Sequence, residues 1–156
     1  MATAFVASQG TEIFLLPPDG TDAIAMSCPT SVSQSGGERN MVEVLCLNAL
    51  DPEFISGSRA PTTWSIPFAL VPTDSTHQEL FDLEESGEAA QFCIALSDGT
   101  ADPTVVDDDL VPPTGRTSFS FEALIMGVVI EIATNDVVRG TLSLQVSGPI
   151  TRTWAS

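Results

Sequence analysis

Two long β-patterned runs near the C-terminal end constrain this chain more than any other feature. In Val137 to Ser147, the residues Val138, Leu142, Leu144 and Val146 alternate with Arg139, Thr141, Ser143 and Gln145. One face of that run is therefore buried and the other wet. Ser118 to Ile132 precedes it across a turn at Asn135-Asp136 and changes phase on the way. Phe119, Phe121, Ala123 and Ile125 share one parity, while Val128, Ile130 and Ile132 share the other. A β-bulge near Gly127 accounts for the switch. Such a pair is stable only within a larger antiparallel sheet.

The rest of the chain agrees. Strand patterns at Thr11 to Leu16, Ile24 to Ser33, Met41 to Asn48, Trp64 to Val71 and Gln91 to Ser97 are separated by turn clusters. The clearest of these are Pro17-Pro18-Asp19-Gly20, Ser35-Gly36-Gly37 and Asp98-Gly99. Pro67 marks its strand as an edge or a bulge. Ala49 to Thr63 and Thr100 to Thr117 lack a regular pattern and read as loops. One segment, Asp74 to Gly87, is helical: Ser75 with Gln78 or Thr76 with Glu79 fits a capping box, and Gly87 suits the left-handed C-terminal position. Leu80 and Leu83 would face the core. The expected fold is mainly β, an antiparallel sandwich or barrel with one flanking α-helix, in a single domain over 1–156.

Charge narrows the function. The chain carries 21 Asp and Glu against five Arg, with no Lys, for a net charge of −16. Gripping nucleic acid or an anionic membrane requires Lys and Arg in numbers that five Arg among 21 acidic residues do not supply. Apolar residues at 43% and charged ones at 17% argue for a folded core rather than disorder. The longest apolar run, Ala123 to Ile130, stops at Glu131, far short of the ~20 residues of a spanning helix. The N-terminus has no basic or apolar signal pattern. Cys28, Cys46 and Cys93 are odd in number and scattered, so buried free thiols in a reducing cytoplasm are expected rather than disulfides or zinc.

Catalysis finds no support. The sole histidine, His77, reads as a solvated residue in the first turn of the helix. No nucleophile elbow, phosphate loop or cysteine–histidine signature is present. Glu84-Glu85 and Asp107-Asp108-Asp109 read as solvated carboxylates. Asp98 to Asp109 raises the question of calcium but lacks the ligand spacing of a calcium loop. Trp64 and Trp154 read as core or interface residues. No catalytic residue, cofactor or metal is expected.

A resemblance rests on the order of elements from Trp64 to Ile150. It comprises His77-Gln78-Glu79-Leu80, a strand into Asp98-Gly99, Phe119-Ser120-Phe121-Glu122-Ala123, Gly127-Val128-Val129 and Asn135-Asp136-Val137-Val138. Thr141 to Ile150 then closes on Gly148-Pro149. This succession is similar to the major tail tube proteins of long-tailed, lambda-like bacteriophages. The resemblance implies a structural virion protein, six copies of which close a ring around a continuous inner barrel. Stacked rings then form the hollow tail tube that conducts phage DNA. It implies no C-terminal immunoglobulin-like domain, since the chain stops just after Gly148-Pro149. The partners implied are further copies of the chain, a tape measure protein, a tail terminator and baseplate or tail-tip proteins. DNA would pass without specific binding, and assembly would occur in the host cytoplasm. The alternatives are another tail component of the same fold, such as a terminator or connector, and a free β-sandwich binding module.

Two sets of residues are expected to carry assembly and passage. Ala49 to Thr63 is long for a connection and carries apolar residues a solvated loop does not need. Leu50, Asp51, Phe54, Ile55 and Arg59 are its inter-subunit candidates. Glu43, Glu122 and Glu131 lie within long strands and are the lumen candidates, in preference to the Asp107 to Asp109 loop.

Overall fold

The computed structural model describes residues 5–18, 20 and 22–155. In chain order the strands are β1 (Glu12–Leu16), β2 (Ile24–Ala25), β3 (Ser33–Gly36), β4 (Arg39–Val44), β5 (Glu53–Arg59) and β6 (Thr62–Ala69). Helix α1 (Ser75–Ser86) follows. After it come β7 (Ala90–Ala95), β8 (Thr104–Val106), β9 (Asp109–Val111), β10 (Ser118–Glu131), β11 (Arg139–Val146) and β12 (Thr151–Thr153). The turn expected at Pro17 to Gly20 retains a Gly20 N–H to Pro17 carbonyl bond, while its Asp19 lies outside the described residues.

The main sheet runs β2-β1-β7-β10-β11-β6-β3, antiparallel throughout, with β12 beside the start of β10. The register shifts between Ile125 and Gly127, the bulge the phase change requires. The two edges of the sheet are brought together by one short segment. Met26 N–H donates to the Ile13 carbonyl in β1, and two residues later the Cys28 carbonyl accepts from Ala69 N–H in β6. The sheet is thereby rolled into a barrel. Expecting one strand from Ile24 to Ser33 was incorrect for this reason. Cys28 has φ 51° ahead of Pro29, and this kink carries the chain from β1 across to β6.

Inside the barrel, Ile13, Trp64, Ile66, Phe68, Phe92, Phe121, Leu142 and Leu144 form the main core. Trp64 stacks on Phe121 at 5.4 Å between ring centroids. Helix α1 joins the end of β6 to the start of β7 and closes that mouth with Leu80 and Leu83, both buried as expected. Its cap is Asp74, which accepts from Thr76 N–H at 2.8 Å, rather than either expected capping box. Gly87 takes φ 74° after the last turn. That position leaves the expected C-terminal signal intact.

His77 corrects the reading of a solvated residue: it is 1% exposed. Its Nδ1 accepts from Val71 N–H at 3.0 Å, and its Nε2 lies 2.8 Å from the Ser27 carbonyl, which fixes the proton on Nε2. The ring also leans on Phe68 at 4.7 Å. Thr76 Oγ1 donates to the Ala25 carbonyl, so α1 fastens the very segment that closes the barrel.

Outside the barrel wall, β8 and β9 form a hairpin over Phe14, Leu16, Cys93 and Ala95. It replaces the loop expected from Thr100 to Thr117. Asp107 and Asp108 both have positive φ, 51° and 64°, the geometry of a tight hairpin turn. Pro67 is neither at an edge nor in a bulge. Its carbonyl accepts from Thr30 N–H, so its imide nitrogen faces away from β11 and no bond of that ladder is lost. Of the cysteines only Cys93 is buried, and Cys28 and Cys46 are exposed free thiols.

Candidate assembly surfaces

The β3–β6 ladder does not end at Gly36 but turns away from the barrel. Gly37 N–H donates to the Pro61 carbonyl and Ala60 N–H to the Glu38 carbonyl, and the pairing continues as β4 against β5. Gly36 and Gly37 have φ 79° and 80°. A Cβ on Gly36 would lie 2.1 Å from the Pro61 carbonyl oxygen, so the redirection requires glycine there. The result is a hairpin arm rather than the loop expected over Ala49 to Thr63. Ser56, Gly57 and Ser58 dilute its strand pattern, and solvent on both sides removes the alternation a half-buried strand shows.

Met41, Val42, Val44, Leu45, Leu47, Leu50, Phe54 and Ile55 are all exposed on this arm. Cross-strand register pairs Val42 with Ile55 on one face and Glu43 with Phe54 on the other, so both faces are partly apolar. A surface of this kind marks an interaction site. Of the expected inter-subunit residues, Phe54, Ile55 and Arg59 lie in β5, and Leu50 and Asp51 at the tip. The β4 residues and Leu45 and Leu47 belong to the same surface, which the sequence presents only as a strand pattern at Met41 to Asn48. Their signal is the nearly continuous run of apolar side chains on both sides of Glu43.

The lumen candidates divide. Across the bulge, even-numbered Glu122 and odd-numbered Glu131 come onto the same face, opposite buried Phe121, Ala123 and Ile125. Thr141, Ser143 and Gln145 of β11 share that face, and all three stay partly exposed. Glu43 stands apart on the arm. Asp107 and Asp108 cap the β8–β9 hairpin outside the β1–β7 wall.

Electrostatics elsewhere is structural. Arg116, which sequence reasoning missed, is fully buried. Its guanidinium donates to the carbonyls of Leu96 at 2.6 Å, Ala101 at 3.0 Å and Gly10 at 3.1 Å, and pairs with Glu12 at 3.3 Å. No sequence pattern distinguishes it from a surface arginine. Asp98 accepts from Thr117 Oγ1 and Thr117 N–H, and these bonds hold its carboxyl below the usual range. Asp136 is lowered by Arg139, which lies 3.0 Å away, and by the Val137 N–H. Among the described residues no three His, Cys, Asp or Glu side chains converge as metal ligands would.

Comparison with known proteins places this geometry. Over residues 4–156 the chain matches the family of lambda-like phage tail tube proteins. It is 30% identical over 148 residues to Structural protein 3 of Pseudomonas phage PAJU2, covering 92% of this chain and 90% of that protein. Its fold is similar to the SPP1 tail tube, with TM-score 0.71, 13% identity and coverage of 94% of this chain and 78% of that one. It is also similar to a chain in the tail of a gene transfer agent particle, with TM-score 0.67, 15% identity and coverage of 95% and 100%. The chain belongs to the lambda-like phage tail tube protein family and is a structural component of the virion tail, not an enzyme.

Proposed function

We propose that copies of this chain close into rings of six and that the rings stack into a tube conducting phage DNA. The observation that carries this reading is the arm, whose eight large apolar side chains stand in solvent without contributing to the subunit's own core. Subunit contacts that bury them stabilise an assembly at no expense to the monomer fold. The gene transfer agent tail, described with C6 symmetry, supports the ring size. Leu50, Asp51, Phe54, Ile55 and Arg59 act in these contacts. Tape measure, tail terminator and baseplate or tail-tip proteins are the further partners.

Glu122 and Glu131, on the outward face of β10, line the lumen, and Glu43 joins them only where the arm borders it. Arg139, opposite Glu131 on that face, is held by Asp136, so the acidic wall forms no strong phosphate contacts and DNA passes without being held. Negative-stain microscopy of the purified protein tests the assembly reading: tubes are expected, and deleting Asp51 to Ser58 should leave folded subunits without tubes. Normal tubes from that deletion contradict it. For the wall, a Glu122→Lys, Glu131→Lys variant should still form tubes, bind DNA at low salt and eject slowly. Unchanged ejection, with both lysines located in the lumen, contradicts the role of charge.

A further inference from the structure

The arginines are unevenly placed for so acidic a chain. Arg116 is buried with Glu12, and Arg139 is paired with Asp136. The other three gather at the base of the arm. Arg39 and Arg59 are direct cross-strand partners, and Arg59 and Arg152 line one cleft with Pro61, Pro149 and Ile150. All three are exposed, and among the described residues none forms an ion pair. Like charges placed directly opposite in a ladder destabilise it.

A second unfavourable arrangement has the opposite sign. Asp82, Glu84, Glu85 and Glu88 are exposed on and just after the last two turns of α1, where no basic residue stands. Carboxylates at a helix C-terminus oppose its dipole. The two clusters sit at opposite mouths of the barrel. The cleft lies at the start of β6 and the end of β11, whereas α1 leaves the end of β6, an eight-residue strand spanning roughly 26 Å.

We infer that the Arg59–Arg152 cleft, with Arg39 beside it as the cross-strand partner of Arg59, is the seat for the acidic C-terminal end of α1 from a second copy of the chain. The contact is head-to-tail, so it repeats without limit or closes a ring. It relieves both unfavourable arrangements at once, and the prolines and Ile150 supply apolar surface beside the arginines. This inference rests on the self-assembly proposed above and assigns one of its contacts.

Two charge-reversed variants test it. One carries Arg59→Glu and Arg152→Glu, the other Glu84→Arg and Glu85→Arg, and circular dichroism checks that both fold. Each alone should lose tubes at physiological salt while the unaltered protein forms them. Mixed in equal amounts they should co-assemble, because each supplies the sign the other lacks. Either variant forming tubes alone, or a mixture that stays unassembled, overturns the inference. Failure of the unaltered protein to form tubes overturns the self-assembly reading instead.

Discussion

The barrel and the arm are built from the same kind of sequence and put it to opposite uses. In β6, alternate residues Trp64, Ile66 and Phe68 point inward and are buried, while the residues between them are partly exposed. In β4 every residue is exposed, Met41, Val42 and Val44 included. Neither arm strand packs onto the main core, so burial that stabilises the subunit ends at the Gly36-Gly37 kink. Apolar β-pattern alone therefore does not report burial within the subunit. The difference lies in whether a second layer covers it.

Changes in the barrel should cost the most. Arg116→Ala leaves the carbonyls of Leu96, Ala101 and Gly10 without their donor, at ~1–3 kcal/mol for each buried group left unpaired. A drop of ~10 °C or more in the thermal midpoint is expected for a domain of this size, read by calorimetry. His77→Ala comes next, since it frees Val71 N–H and the Ser27 carbonyl at the barrel closure, and should cost ~2 kcal/mol. A denaturant titration would show it as a lower midpoint with an unchanged slope.

Changes in the arm should separate stability from assembly. Phe54→Ser with Ile55→Ser removes exposed side chains, so folding stability should move by no more than ~0.5 kcal/mol, as for other surface substitutions. Tubes should nonetheless disappear from sedimentation assays. A large loss of thermal stability in the free subunit would mean that the arm packs on the barrel after all.

The smallest effect concerns acid. Asp98 has its carboxyl lowered by the Thr117 hydroxyl and N–H, so the stability it contributes is present above its unfolded pKa and is lost as pH falls through the folded value. Melting midpoints should begin to fall below about pH 4. Asp98→Asn should flatten part of that decline, leaving the shares of Asp74 and Asp136, which are lowered in the same direction. An identical acid profile for the variant would remove Asp98 from the mechanism.

The barrel was the more legible region. Alternation in β6 and β11, the bulge before Gly127 and the helix at Asp74 to Gly87 are local signals that the sheet then obeys. Of the arm, β4 was legible in the strand pattern at Met41 to Asn48, and the remainder only as surplus apolar residues. Its strand β5 has no buried face to impose a period, and Ser56-Gly57-Ser58 resembles a loop. His77 and Arg116 were missed because their partners are backbone groups distant in sequence, such as Ser27 and Gly10. No one-dimensional pattern encodes such contacts. Glu122 and Glu131 share a face only because of the bulge, a relation the phase change implies once the register is known.

Hydrogen exchange of the arm, measured in free subunits and again in assembled tubes, tests most directly whether its apolar surface serves assembly. In the free subunit, amides of β4 and β5 should exchange much faster than those of β7 and β10, because no layer covers the hairpin. In tubes the arm should become protected to a degree approaching the barrel strands, while β7 changes little. Tubes that form with the arm exchanging as fast as in the free subunit would contradict its role as the assembly surface.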